Sequence, residues 1–349
     1  MTIPRDERAV AGVVVAASPA PEMTVILATR GDYRVVRKAI TCLRQQSVRK
    51  QLEVLVVTPR AHCFHLDEPE IAGDFLGFRV LGVGPEASTA SANAVGIAEA
   101  AAPVVTLTED HSFPAPDWAY SLIRAHRGDY AAVGPVVRNA NPGSATSWAD
   151  FLIGYGKWMD RPKGHEIDFL PGHNSSYKRQ VLMAYGSRLG EMLEVESVLH
   201  WDLRANRHRL YLEPTAKTAH VNFSRLSSFL RIQYLAGRLF AAARASGWGR
   251  LRRTLYVVGG PLIPLVRLWR VLGRVADSGS FPIGRLPRVL STLLLRLCLD
   301  GLGQFLGYSF GAGSVKEPHA QLESNRAYHV TRSDRGILLP GDQGDLSGS

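Results

Sequence analysis

Short apolar runs that stop at polar clusters, separated by stretches with helical spacing, leave the first half of this chain few folds to adopt. Met23–Ala28 (M-T-V-I-L-A) has the length and content of a buried strand and ends at Thr29-Arg30-Gly31-Asp32. Val35–Gln46 follows, with Val36, Ile40 and Leu43 on one helical face. Leu52–Val57 and Phe78–Val83 read as a second and third strand, Ser91–Ala102 as an Ala-rich helix, and Val104–Leu107 as a fourth strand. Strand and helix in alternation predict an α/β domain with a largely parallel sheet. Ligands of such sheets sit at the carboxyl ends of the strands. Two of those ends are polar here: Thr29-Arg30-Gly31-Asp32 and Thr108-Glu109-Asp110-His111.

The next stretch continues the pattern less regularly. Ala131–Val137 reads as a strand, and Asn139–His165, rich in Gly, Ser and Pro, as a loop. Leu170–Asn174 is a loop leading to a helix near Lys178–Tyr185. Glu194–Ala205 reads as another helix, and Leu210–Leu212 and Thr218–Val221 as short closing strands. Residues 1–22 form an extension ahead of the first strand, although Ala9–Ala17 has roughly the length of a signal-peptide core. Cys42, Cys63 and Cys298 are scattered and form no C-x-x-C, so neither a disulfide framework nor a structural zinc site is expected, and a reducing compartment fits. The formal net charge of +10 favours an anionic partner.

Thr108–Trp118 (T-E-D-H-S-F-P-A-P-D-W) carries the most chemistry. Glu109, Asp110 and His111 follow directly on an apolar strand. Carboxylates suit magnesium or manganese, and an imidazole shifts the preference toward manganese. A solvated acidic turn that caps a helix fits the same residues.

Six segments in order resemble glycosyltransferase family 2, whose members have the GT-A fold. Val25–Tyr33 is similar to the family's first strand and nucleotide-contacting loop, and Ser91–Ile97 to its A-R-N-x-G helix. Glu109-Asp110-His111 with Pro114–Trp118 stands where the family has D-x-D and P-x-P-x-W. Leu170–Arg179 is similar to G-x-N-x-x-x-R-R, Glu194–Leu203 to the E-D-x-x-L helix, and Pro214–His220 to the closing P-x-A-x-x-x-H. The chain departs from the pattern at His111 for the last Asp of D-x-D, at Ala92 for the Arg of A-R-N, and at Val57-Thr58-Pro59-Arg60, where the family has Asp-Asp or Asp-Asn.

The resemblance implies an inverting transfer of sugar from a nucleotide-sugar donor to a glycan or lipid-linked acceptor, assisted by a divalent cation, Mn2+ or Mg2+. It implies His111, Glu109 and His220 as metal ligands, and Thr29, Arg30, Asp32, Asn93, Glu109, Asp110, Gly172, His173 and Asn174 as donor contacts. It places Glu196 as the general base that deprotonates the acceptor hydroxyl, with Glu194 in reserve. His200, Trp201, Trp148 and Trp158 are candidates for the acceptor side. A non-catalytic GT-A domain that binds nucleotide-sugar or glycan as an accessory subunit is the alternative, prompted by the departures.

Composition changes after Arg225. Up to Cys298 the only acidic residue is Asp277, while arginines recur among apolar runs. Leu226–Phe240 and Val289–Leu299 have helical apolar spacing, and the uncharged run Thr254–Val266 is broken by Gly259-Gly260-Pro261 and Pro264. A spanning helix needs about 20 apolar residues. Residues 225–313 are therefore expected to lie as amphipathic helices on an anionic membrane surface, at the cytoplasmic face, peripheral or monotopic. A soluble helical subdomain packed on the catalytic domain and a re-entrant hairpin through Gly259–Pro264 are the other options. Nucleic acid is not an expected partner, since no binding motif accompanies the arginines. Residues 23–224 would then be the catalytic domain, and 314–349 a poorly ordered tail.

Overall fold

The computed structural model describes residues 20–339 apart from 67, 68, 161, 162, 279 and 325; the expected extension lies, through residue 19, outside the described residues. Among the described residues, nine strands form one mixed sheet. Its core is parallel: β1 (Met23–Ala28) lies between β2 (Leu52–Thr58) and β4 (Val104–Thr108), and β3 (Gly77–Gly82) extends the sheet beyond β2. The crossovers are α1 (Tyr33–Arg44), which buries Val36, Ile40 and Leu43, and α2 (Thr89–Glu99). Asp32 caps α1 by accepting from Arg34 N, and Ser88 caps α2 by accepting from Ser91 N. The α/β class expected from the strand–helix alternation is the class observed.

Beyond β4 the sheet turns antiparallel. β8 (Ser176–Lys178) joins β4 to β6 (Ala132–Asn139), and β9 (Leu210–His220) runs parallel to β6. β5 (Ser112–Pro114) and β7 (His165–Glu166) both add to β9 antiparallel. The two short strands expected at 210–212 and 218–221 are one strand, because β9 bridges its irregular middle by a shift in pairing between Pro135 and Val136. Helices α3 (Trp118–His126), α5 (Arg179–Met183), α6 (Leu189–Leu193) and α7 (Glu196–Ala205) cover the sheet, with α4 (Ala145–Gly154) ahead of α5.

The expected loop at 139–165 holds α4. Its Gly/Ser/Pro content is spent at the entry, where Ser144 accepts from Ser147 N, and the following A-D-F-L buries into the core. The expected poorly ordered tail is helical as far as the described residues go: α12 (Lys316–Ser324) and α13 (Arg332–Leu338) flank a 3-10 turn at Arg326–His329. Polar composition hid this, because only a few scattered apolar residues of the tail, Leu322, Val330 and Leu338 among them, are buried, and specific hydrogen bonds do the rest. Thr331 N donates to Ser224 Oγ at 2.9 Å, Asn141 Nδ2 to Asp334 Oδ2 at 3.0 Å, and Lys38 Nζ to the Ile337 carbonyl at 2.7 Å.

After Arg225 come α8 (Leu226–Arg244), α9 (Arg250–Val258), α10 (Ile263–Ser278) and α11 (Leu286–Phe310). α8 and α11 pack backbone to backbone. A Cβ on Gly303 or Gly307 would collide with the carbonyls of Tyr234 and Arg238. Buried Arg296 on α11 pairs with Asp150 of α4 and donates to Gln233 of α8. Asp150 also accepts from Phe223 N at 2.7 Å. Phe229, Leu293 and Leu297 share one apolar cluster with Leu152, Val136 and Leu203, so the core crosses the expected boundary at 224. Segment 283–310 is long and apolar enough to cross a membrane by length and composition, with mean hydropathy 1.4.

Candidate active site

β4 ends at Thr108, and Glu109-Asp110-His111 make the turn into β5. β5 pairs with β9 so that Ser112 faces His220. That pairing brings together residues more than a hundred positions apart in the chain. The His111 and His220 rings meet edge to face at 4.8 Å between centroids. His111 Nε2 lies 3.6 Å from Glu109 Oε1, and His220 Nε2 3.5 Å from Glu109 Oε2. One ligand atom from each of the three residues falls within 4.8 Å of the others.

The surrounding hydrogen bonds prepare these atoms for a cation. His111 Nδ1–H donates to Asp110 Oδ1 at 2.8 Å, and His220 Nδ1–H to Asn222 Oδ1 at 3.0 Å. Both Nε2 atoms then present their lone pair on the Glu109 side, that of His111 also receiving Arg326 Nη2 at 3.1 Å, and the Asp110 carboxylate behind His111 makes that imidazole a better ligand. Asp110 is itself held by Thr29, whose hydroxyl donates to Oδ2 at 2.9 Å. Glu109 Oε2 accepts from Asn174 Nδ2 at 2.9 Å and Ser112 Oγ at 3.1 Å. Burial, with His111 and Arg326 alongside, pushes His220 well below its ordinary pKa, so it is neutral and able to ligate at physiological pH. One carboxylate and two imidazoles are a donor set that fits a divalent cation.

This cluster floors a cavity of about 350 Å³ at the carboxyl ends of β1 and β4. Thr29, Arg30, Asp110, Gly172, His173, Glu194 and Glu196 line it, as the sequence led us to expect. Gly172 is required by packing: a Cβ there would overlap Glu196. The adjacent His173 imidazole forms an ion pair with Glu196. Burial alone would lower His173, but Glu196 raises it above its ordinary value; burial alone would raise Glu196, but His173 brings it below the usual carboxylate range. Glu194 accepts from Ser88 Oγ at 2.6 Å at the cavity edge.

Several expected site residues lie elsewhere. Asp32 is spent on capping α1 and on Arg34, and does not line the cavity. Asn93 is buried within α2, away from the lining. His200 is fully buried, 2.9 Å from Tyr177 Oη, and Trp201 packs on Phe240. Trp148 donates to the Pro142 carbonyl in the core, whereas Trp158 does reach the cavity.

Other lining residues escaped sequence reasoning. Tyr155, from the expected loop, packs its ring tilted against His220 at 4.2 Å between centroids and places its hydroxyl 3.4 Å from Glu109 Oε2. Lys316, His319, Ala320, Glu323 and Arg326 bring the C-terminal segment over the opening. The spacing 316, 319, 320, 323 was a legible helical face, but nothing in it pointed to the site.

No family model matches the chain, and no curated protein sequence does. Among solved structures it is similar to the mannosyltransferase PcManGT from Pyrobaculum calidifontis in complex with GDP-Man and Mn2+. That match has 15% identity and a TM-score of 0.49, over 82% of this chain and 87% of that one. It is also similar to S. aureus TarS, with 13% identity and a TM-score of 0.43 over 87% and 90% of the two chains. GalNAc-T7 with UDP, GalNAc and Mn2+ shares 10% identity and a TM-score of 0.39, over 58% of this chain and 43% of that one. Residue roles in this chain rest on its own geometry.

Proposed function

We propose that the chain is an inverting, cation-assisted glycosyltransferase of GT-A type that works at a membrane surface on a nucleotide-sugar donor and a glycan or lipid-linked acceptor. The convergence of Glu109, His111 and His220 on the cavity floor, opposite Glu196, carries this reading. A divalent cation on those ligands would act as a Lewis acid toward a diphosphate leaving group. Thr29 and Asp110 keep the His111 ligand atom oriented. Glu196, held ionised by His173, accepts the proton of the acceptor hydroxyl. The test is turnover of a panel of nucleotide sugars with Mn2+. Release of nucleoside diphosphate from at least one donor is expected, and none from any would leave the binding-only accessory domain as the better account.

The membrane part rests on one exposed face. Leu251, Leu255 and Val258 on α9, Leu262 in the 3-10 turn that follows, and Leu265 and Trp269 on α10 succeed one another at intervals of three and four residues across a 51° bend, and all are exposed, Leu251 to 77% and Trp269 to 75%. Arginines 250, 252, 253 and 270 are interleaved with these residues, while Arg267 is paired with Asp300. Apolar burial with flanking arginines is how an interfacial helix holds an anionic bilayer, each arginine contributing about 1 kcal/mol near the surface. The full-length protein should sediment with anionic vesicles. Leu255→Asp with Trp269→Asp should weaken that binding by at least about tenfold, since each change loses a buried apolar side chain. Full-length protein that ignores anionic vesicles, or protease cleavage of α9 or α10 from the far side of sealed vesicles, would overturn the interfacial placement.

A further inference from the structure

The C-terminal segment brings a cation of its own to the ligand cluster. Arg326 is buried, pairs with Glu323, and lies over the Phe223 ring with its guanidinium carbon 3.9 Å from the ring centre. Its Nη2 stands 3.1 Å from His111 Nε2. His111 Nδ1–H is already given to Asp110, so Nε2 carries the only ring lone pair, and Arg326 is the donor to it. That lone pair is also the one a metal would take. It serves one partner at a time.

We propose that Arg326 occupies the cation's place on His111, so that a divalent ion must displace it. Arg326 thereby sets the affinity of the site and couples ion binding to the position of α12. This rests on the ligand set assigned above. The two ends of the segment are held differently, α12 by Leu322 in the main apolar cluster and the stretch after Arg326 by hydrogen bonds. Past Arg326, the His329 carbonyl accepts from Ser224 N and Arg225 N, and the Tyr328 carbonyl accepts from Arg225 Nη1 at 2.7 Å. Before it, Lys316, His319 and Ala320 face the cavity itself. Displacement would therefore move the Arg326 side chain and loosen α12 through its pairing with Glu323, while α13 stays anchored. The freed guanidinium remains at the cavity wall, where its Nε has no hydrogen-bond partner among the described residues. A diphosphate oxygen is the acceptor that suits such a pair of donors.

Mn2+ titration of the full-length protein, followed by the loss of free-ion EPR signal, tests this without any turnover. Arg326→Ala should bind Mn2+ about tenfold or more tightly than wild type, because a competing charge-assisted hydrogen bond is gone. Arg326→Lys, which keeps the charge on a different donor, should fall between. In wild type, amide hydrogen exchange of residues 316–326 should quicken on adding Mn2+, and His111→Ala should abolish that response. Arg326→Ala that is folded and binds Mn2+ no tighter than wild type would overturn the competition while leaving the metal site standing. Mn2+ binding by neither protein would overturn the ligand set and the competition with it.

Discussion

Glu196→Gln should leave donor and cation binding intact and reduce sugar transfer by about 10²- to 10⁴-fold, the span a general base supplies. The amide keeps the shape that fits beneath Gly172 but cannot take a proton. The wild-type profile follows from the same pair. Glu196 is the working base when ionised, and His173 holds its pKa below the usual carboxylate range. The part of the acid limb that belongs to Glu196 should therefore lie below the usual carboxylate range. His173→Gln removes the partner, so the limb should shift upward in pH. Single-turnover rates across pH for the three proteins read both effects. A loss smaller than tenfold in Glu196→Gln would move the role to Glu194, which lines the same cavity.

Loss of a metal ligand should be as damaging. Glu109→Gln and His111→Ala each remove one of three donors and should abolish measurable cation binding, with transfer reduced to the level seen in excess chelator. Asp110→Asn should be milder, at about 10- to 100-fold in cation affinity, because it loosens His111 without touching the ligand atom. Metal titration of the variants, alongside a folding check by circular dichroism, separates ligand loss from collapse. Full transfer in chelator would overturn the assignment.

How much of this was legible beforehand depended on what kind of signal each part carried. The parallel core was readable because β1, β2 and β4 are buried on both faces and appear as unbroken apolar runs. β5, β7 and β8 have two or three residues each and exist only through their pairing with β9, β4 and β6. No local pattern of that length announces a strand. Glu109, His111 and Glu196, which line the cavity, could be singled out because they stand at element ends within family-like motifs. Asp32 was misplaced because an Asp before a helix fits a cap as well as a ligand. Arg326 was invisible for the opposite reason. It lies 215 residues from His111, in a polar segment whose composition resembles that of an unstructured tail.

The central claim is that Glu109, His111 and His220 hold a cation through which the cavity binds a nucleoside diphosphate. The most direct measurement is the thermal shift of the full-length protein with UDP, GDP, CDP and dTDP in turn, in Mn2+ and in EDTA, because a ligand that binds only the folded state raises its stability by mass action. The account predicts that at least one nucleotide raises Tm in Mn2+, that EDTA removes the rise, and that His111→Ala and Glu109→Gln never show it. A nucleotide-dependent rise that is the same in EDTA, or no rise with any of the four in Mn2+, would contradict it.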